Sequence, residues 1–200
     1  MKRKSSFLMV IILLLSLTTS CEWLSMRKLE RANIFCISED KSAIIVDGII
    51  NSNALEDFKR LMEEQPDIKK LRFIQCDGSI DDSINLVLGT LIHKNRFNTE
   101  IVANGSVASG GTDLFLSGIY RTIGSNVEIG VHSWAGDEEV ATDFEKGHKY
   151  HEPYIRYYQE IGMTRDDAEA FYYFTIYAAP ADGIHIMTPE EIEQYKIQTE

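Results

Sequence analysis

The sequence predicts an α/β fold built around a parallel sheet, and three observations predict it. Short runs rich in β-branched residues recur along the chain. Amphipathic stretches at helical spacing separate those runs. The last third of the chain then becomes mainly helical in pattern. Strand and helix alternating at this interval read as βαβ units, whose crossover helices cover the faces of a parallel sheet.

Taken in order, Ala43-Ile44-Ile45-Val46 and Gly48-Ile49-Ile50 read as strand. Asn53 opens a helix with Leu55, Phe58, Leu61 and Met62 on one face, and Pro66 lies just beyond its end. Leu71 to Cys76 reads as the next strand, and Ile84, Val87, Leu88, Leu91 and Ile92 mark a second helix. Glu100 to Ala103 is a short strand running into an Asn104-Gly105 turn. A helix carrying Leu114, Phe115, Leu116 and Ile119 begins near Ser109, and Val127 to Val131 is a further strand. Helices from about residue 143 form an appended layer. Tyr150, Tyr154, Tyr157, Tyr158 and Ile161 line one that ends near Gly162. Thr164 with Asp167 caps another reaching about Tyr177, and Pro189-Glu190-Glu191 opens the last.

A length of 200 residues and an apolar fraction of 44% suit one domain with a sizeable core. The first 20 residues read as a removable signal: Lys2, Arg3 and Lys4, then an apolar run from Phe7 to Leu17, then Thr18-Thr19-Ser20. Cys21 follows these small residues as at a bacterial lipoprotein processing site, where it would become the lipidated N-terminus. Ordinary cleavage nearby and an uncleaved anchor are the alternatives. Residues 21–40 then form a lipid-anchored tether and residues 41–200 the domain. The expected location is the bacterial cell envelope, facing the periplasm or the exterior.

Residues 1–20 carry three Lys/Arg and no acids, so the remaining chain has 17 Lys+Arg against 31 Asp+Glu, a formal charge of −14. Nucleic acid, which needs a basic footprint, is excluded as a partner, and so is direct attraction to anionic lipid headgroups. An exported chain could pair Cys36 with Cys76, but nothing in the sequence brings them together, and free thiols are expected.

Ligands of parallel α/β sheets sit at the carboxyl ends of the strands. Three features gather there: Asp77-Gly78-Ser79, the stretch Ala108-Ser109-Gly110-Gly111, and His132 after Ile129-Gly130-Val131. A serine at a helix N-terminus lies in a partly positive field beside free backbone N–H groups. Once a neighbouring base takes its proton it is a nucleophile, so Ser109 with His132 is the minimum kit for acyl transfer. Gly78 and Gly110 N–H are the candidate oxyanion donors. Tight helix–sheet packing at residues 108–111 and a structural role for His132 account for the same residues without chemistry. Ser106, in the turn before the helix, is a lesser nucleophile candidate. Glu145, His148 and His151 stand at steps of three on one helix, which reads as a solvated face, and no metal is expected. Asp137-Glu138-Glu139 reads as a solvated acidic loop, and Trp134 either lines a pocket or packs.

Three separated blocks resemble the Clp protease family of the crotonase-like superfamily, and in particular its exported, periplasmic Clp-like members. Ala108-Ser109, nine residues before Gly118, is similar to the family's Ala-Ser-Met-Gly block. Ile129-Gly130-Val131-His132 matches the strand that ends in its catalytic histidine, and Ile186-Met187-Thr188-Pro189-Glu190-Glu191-Ile192 its C-terminal helix start. The resemblance implies a sheet of ββα units with a helical C-terminal layer. It also implies a Ser109–His132 pair completed by an acid. Ungapped, that acid would fall at Ile184; Asp182 is the nearest candidate, with His185 in the same loop as a competitor. The Gly-rich turn has one glycine, Gly78, where the family usually has two.

The expected function is an exported serine hydrolase, peptidase-like, acting on a peptide or other acyl substrate without a cofactor. It would be anchored to a membrane through lipid, and the resemblance leaves a homo-oligomer open. The alternative is a non-catalytic binding or scaffold lipoprotein on the same fold. Acyl-CoA chemistry is disfavoured, since an exported protein meets little CoA.

Overall fold

The structure is a computed structural model that describes residues 32–136 and 139–199. The expected signal, Cys21 and most of the expected tether lie outside the described residues. The folded unit begins at Asn33, earlier than the boundary expected at residue 41.

A seven-stranded sheet organises it. The elements are β1 (Phe35–Ile37), β2 (Ile44–Asp47), α1 (Ala54–Glu64), β3 (Lys70–Cys76), α2 (Asp82–Lys94) and β4 (Asn98–Ala108). They continue with α3 (Gly110–Leu116), β5 (Arg121–Ile123), β6 (Glu128–Val131), α4 (Glu152–Glu160), α5 (Arg165–Ala178), β7 (His185–Ile186) and α6 (Pro189–Gln194). The strand order is β1-β2-β3-β4-β6-β7, with β5 pairing β4 beside β6. Strands β2 through β6 pair in parallel, as the βαβ pattern requires, and β1 and β7 close the two edges antiparallel.

The core forms where the strand and helix faces meet. Phe58 of α1 is fully enclosed between Phe35 and Phe97, with ring centroids 5.4 and 5.3 Å away. Phe73 of β3 meets Phe115 of α3 edge-on at 5.9 Å. Ridges of this kind hold the helices to the sheet through buried apolar area and aromatic geometry. Asp81 caps α2 by accepting from Ile84 N–H at 3.1 Å. Thr164 and Thr188 cap α5 and α6 in the same way. Among the described residues no helix is long and apolar enough to cross a membrane.

Three short strands escaped the sequence pattern, β1, β5 and β7, and β1 turns the end of the expected tether into part of the sheet. The larger correction is in β4. Asn104-Gly105 was expected to end the strand; it bends it instead. Asn104 takes φ +60°, and the register jumps from Phe73↔Ile101 to Gln75↔Ser106. Below the bend β4 pairs with β5 through Thr99–Ile101; above it, with β6 through Ser106–Ala108. A multi-residue bulge of this kind lets one strand change partners without ending. Ser106 is therefore a paired strand residue, opposite Gln75 and Glu128, and not part of a turn.

Cys36 and Cys76 are free thiols on β1 and β3, with β2 between them. Burial pushes the Cys76 thiol up to about 12.

Candidate functional site

Ser109 stands where β4 becomes α3, in a conformation few side chains adopt, with φ +51° and ψ −126°. Several bonds hold it there. Its N–H donates to Gly130 O at 3.0 Å, and Thr112 Oγ1 donates to the same carbonyl at 2.8 Å. The Ser109 carbonyl accepts from Thr112 and Asp113 N–H at 2.8 and 3.2 Å. Strain at such a turn costs on the order of 1–3 kcal/mol and persists only where the surroundings impose it.

The glycines after Ser109 are needed for packing as well. A Cβ at Gly111 would overlap the Cys76 carbonyl, and one at Gly110 would lie 2.6 Å from Ser79 Cβ. The tight helix–sheet packing weighed for this stretch is thus present, and it drives the N-terminus of α3 against the end of β3.

Ala108 is in register with Gly130, so adjacent parallel strands deliver Ser109 and His132 to the same end of the sheet. Gly130 O is tied to α3, and Ser133 N–H donates to Ala179 O at 3.0 Å, which pins the chain on both sides of His132. Ser109 and His132 line one cavity of about 30 Å³. Gly110, Asp82, Asp113, Trp134, Tyr154 and Tyr172 are also in its wall. His132 Nδ1 is buried and has no hydrogen-bond partner among the described residues.

Asp182 is not part of this constellation. A turn closed by Gly183 N–H to Pro180 O, 3.0 Å, carries it outward, and it is exposed and absent from the cavity wall. Its expected place beside His132 is not found here. His185 does not replace it: its Nε2 pairs with Glu191 Oε2 at 2.8 Å, and its ring meets Phe174 edge-on. Gly78 comes close to Ser109, since a Cβ there would lie 3.6 Å from Ser109 Cβ. Its backbone bonds the Cys76 thiol, however, and its carbonyl accepts from Ile50. Gly110 lines the cavity at the start of α3, ahead of Thr112 and Asp113, whose N–H groups the Ser109 carbonyl takes up.

Sequence reasoning missed Asp113. One turn along α3 from Ser109, it enters the cavity, where Tyr158 Oη donates to its Oδ1 at 2.6 Å. Tyr157 Oη donates to the Asp113 carbonyl, also at 2.6 Å. Burial, opposed by the Tyr158 bond and assisted by the Asp82 charge, raises the Asp113 carboxyl to about 7. The available signal was an acid at the i+4 position from Ser109 on an otherwise apolar helix. Asp82 is bonded by Tyr154 Oη at 2.6 Å. Trp134 both lines the cavity and packs: it stacks on Tyr154 and its Nε1 donates to Tyr172 Oη at 2.9 Å. His151, weighed as a metal ligand, is fully enclosed, with Nδ1 on Tyr172 Oη and Nε2 on the Glu145 carbonyl. His148 stacks on Phe144. In the loop after the site Glu139 is exposed, and Asp137 and Glu138 lie outside the described residues.

No family model and no curated protein sequence matches the chain. Solved structures do. A mutant of ClpP1 from Listeria monocytogenes superposes with a TM-score of 0.54 at 18% identity, covering 80% of this chain and 90% of that one. A mutant of the 1510-N membrane-bound stomatin-specific protease, in complex with a substrate peptide, gives a TM-score of 0.50 at 19% identity, covering 78% and 71%. The fold is ClpP-like. In this arrangement Ser109 and His132 occupy the carboxyl ends of adjacent strands, β4 and β6.

Proposed function

We propose that the protein is a serine hydrolase, peptidase-like, with Ser109 as nucleophile and His132 as general base. The observation that carries this reading is a serine held at φ +51° on a strand-to-helix turn, sharing one cavity with a histidine. Ser109 Oγ attacks the substrate carbonyl as His132 takes its proton, so an Oγ–C bond forms and the carbonyl π pair moves onto oxygen. The Gly110 N–H, which is not among the first-turn donors bonded to the Ser109 carbonyl, is the donor for that developing charge. Collapse expels the amine or alcohol, which takes the proton from His132, and water repeats the sequence to free the acid and Ser109. Gly78 serves as a second donor only if its N–H leaves the Cys76 sulfur.

The substrate class proposed is a peptide or related acyl compound, and assembly of several copies is part of the same reading. Export rests on the layout of residues 1–21, with Cys21 lipidated and the domain at the envelope surface. Replacing Cys21→Ala should release the protein to the soluble fraction or leave the precursor uncut; unchanged membrane partition and mass would refute the anchor.

The second reading, a non-catalytic binding lipoprotein, draws on the size of the cavity, since about 30 Å³ holds water and no substrate unless the wall moves. Treatment of the purified full chain with a fluorophosphonate probe separates the two. The hydrolase reading expects label on Ser109, lost in Ser109→Ala. A folded wild type that never labels favours the scaffold.

A further inference from the structure

We propose that Asp113, from the helix that starts at the nucleophile, is the acid that orients His132, in the place Asp182 was expected to fill. This rests on the Ser109–His132 reading of the site and adds a positioning residue to it.

Four observations converge. His132 Nδ1 is enclosed by protein and has no partner among the described residues. A buried nitrogen left so has lost its hydration without replacement, a loss that a nearby acceptor would recover. The cavity that His132 lines has two carboxyl groups in its wall, Asp82 and Asp113. Asp82 opens the first turn of α2 and accepts from Tyr154, whereas Asp113 lies one turn from Ser109 on its own helix. Because Asp113 N–H bonds the Ser109 carbonyl, nucleophile and carboxyl are placed by a single rigid turn.

The carboxyl is itself held. Tyr158 fixes Oδ1, Tyr157 fixes the residue's carbonyl, and Oδ2 is left to meet Nδ1, directly or through one water. An acid supplied by a helix next to the nucleophile does not depend on the loop that carries Asp182 to the surface.

The charged and titratable groups around this pair come from four helices. They are Asp82 of α2, Asp113 of α3, Tyr154, Tyr157 and Tyr158 of α4, and Tyr172 of α5. Burial raises all four tyrosines, so they stay neutral donors, and Asp82 and Asp113 alone bring negative charge. Asp113, raised to about 7, gains its charge across neutral pH.

The test is an NMR titration of the five histidine rings in the full chain, with the His132 signal assigned by its loss in His132→Gln. Fluorophosphonate labelling rates are measured beside it. Asp113→Asn keeps the shape and removes the charge. It should lower the His132 midpoint by on the order of one pH unit and slow labelling at least roughly tenfold. Asp182→Asn should leave both unchanged. An Asp113→Asn protein with the wild-type His132 midpoint and labelling rate overturns the proposal, as does the effect appearing in Asp182→Asn instead. If Asp113→Asn fails to fold, Tyr158→Phe decides. Loss of that donor should raise the Asp113 midpoint and carry the linked His132 titration with it, and an unshifted His132 curve overturns the proposal. If His132 responds to Asp113 while wild-type Ser109 never labels, the positioning role stands and the hydrolase reading falls.

Discussion

Asp113 is buried at a cost to stability. Its carboxyl, raised on folding from 3.8 to about 7, keeps a proton that the unfolded chain has released. In that window the folded state binds more protons, so stability falls as pH rises from about 4 to about 7 and then levels. Asp113→Asn should therefore match wild type near pH 4 and exceed it at pH 8 by about 2–4 kcal/mol, read from urea unfolding at both values. Wild type gaining stability across that interval would contradict the burial argument. Ser109 is also held at a cost: Ser109→Gly should stabilise the fold by about 1 kcal/mol, read as a higher melting temperature, while abolishing labelling. The placement of Ser109 and His132 at one end of the sheet was legible in the sequence because a small-residue turn and a strand end frame them. Asp113 was hidden because an acid within Thr112-Asp113-Leu114-Phe115 resembles any polar interruption of an apolar helix. Asp182 misled because a loop has no period from which to place a side chain.

The elements with many residues were readable and the short ones were not. Helices α1, α2 and α5 span 11, 13 and 14 residues, enough for a helical stripe to repeat. Strands β1, β5 and β7 have three, three and two residues, too few for alternation to show. β4 was read short because Asn104-Gly105 is a true turn signal, overridden by pairing with β3 on both sides of the bend. α3 is the element most sensitive to added bulk. Gly111→Ala sets a methyl group against the Cys76 backbone, which cannot rotate away, and should cost at least about 3 kcal/mol or prevent folding. A soluble Gly111→Ala protein with the wild-type urea midpoint would show that α3 seats less tightly than described.

For the whole molecule, the expected ββα architecture and helical C-terminal layer are present, while the start of the domain moves back to Asn33. Ile34 and Phe35 belong to the core, and Phe35 closes the aromatic row over Phe58 and Phe97. A chain trimmed to begin at residue 41 should lose about 3–5 kcal/mol or fail to fold, measured by denaturation against the full chain. An unchanged midpoint would make β1 dispensable. The partner change of β4 reaches further. On the side away from β3, Thr99 to Ile101 pair with β5 and Ser106 to Ala108 with β6, with the bend between them. On that side, though not on the β3 side, β4 splices two hydrogen-bonded ladders, and only the second carries Ser109 and His132. Amide exchange along β4 should show two plateaus of protection meeting at residues 102–105, the upper one lower. Breathing at the Ser109 end would then leave the Phe58 end shut, and the water-sized cavity would widen without the molecule unfolding.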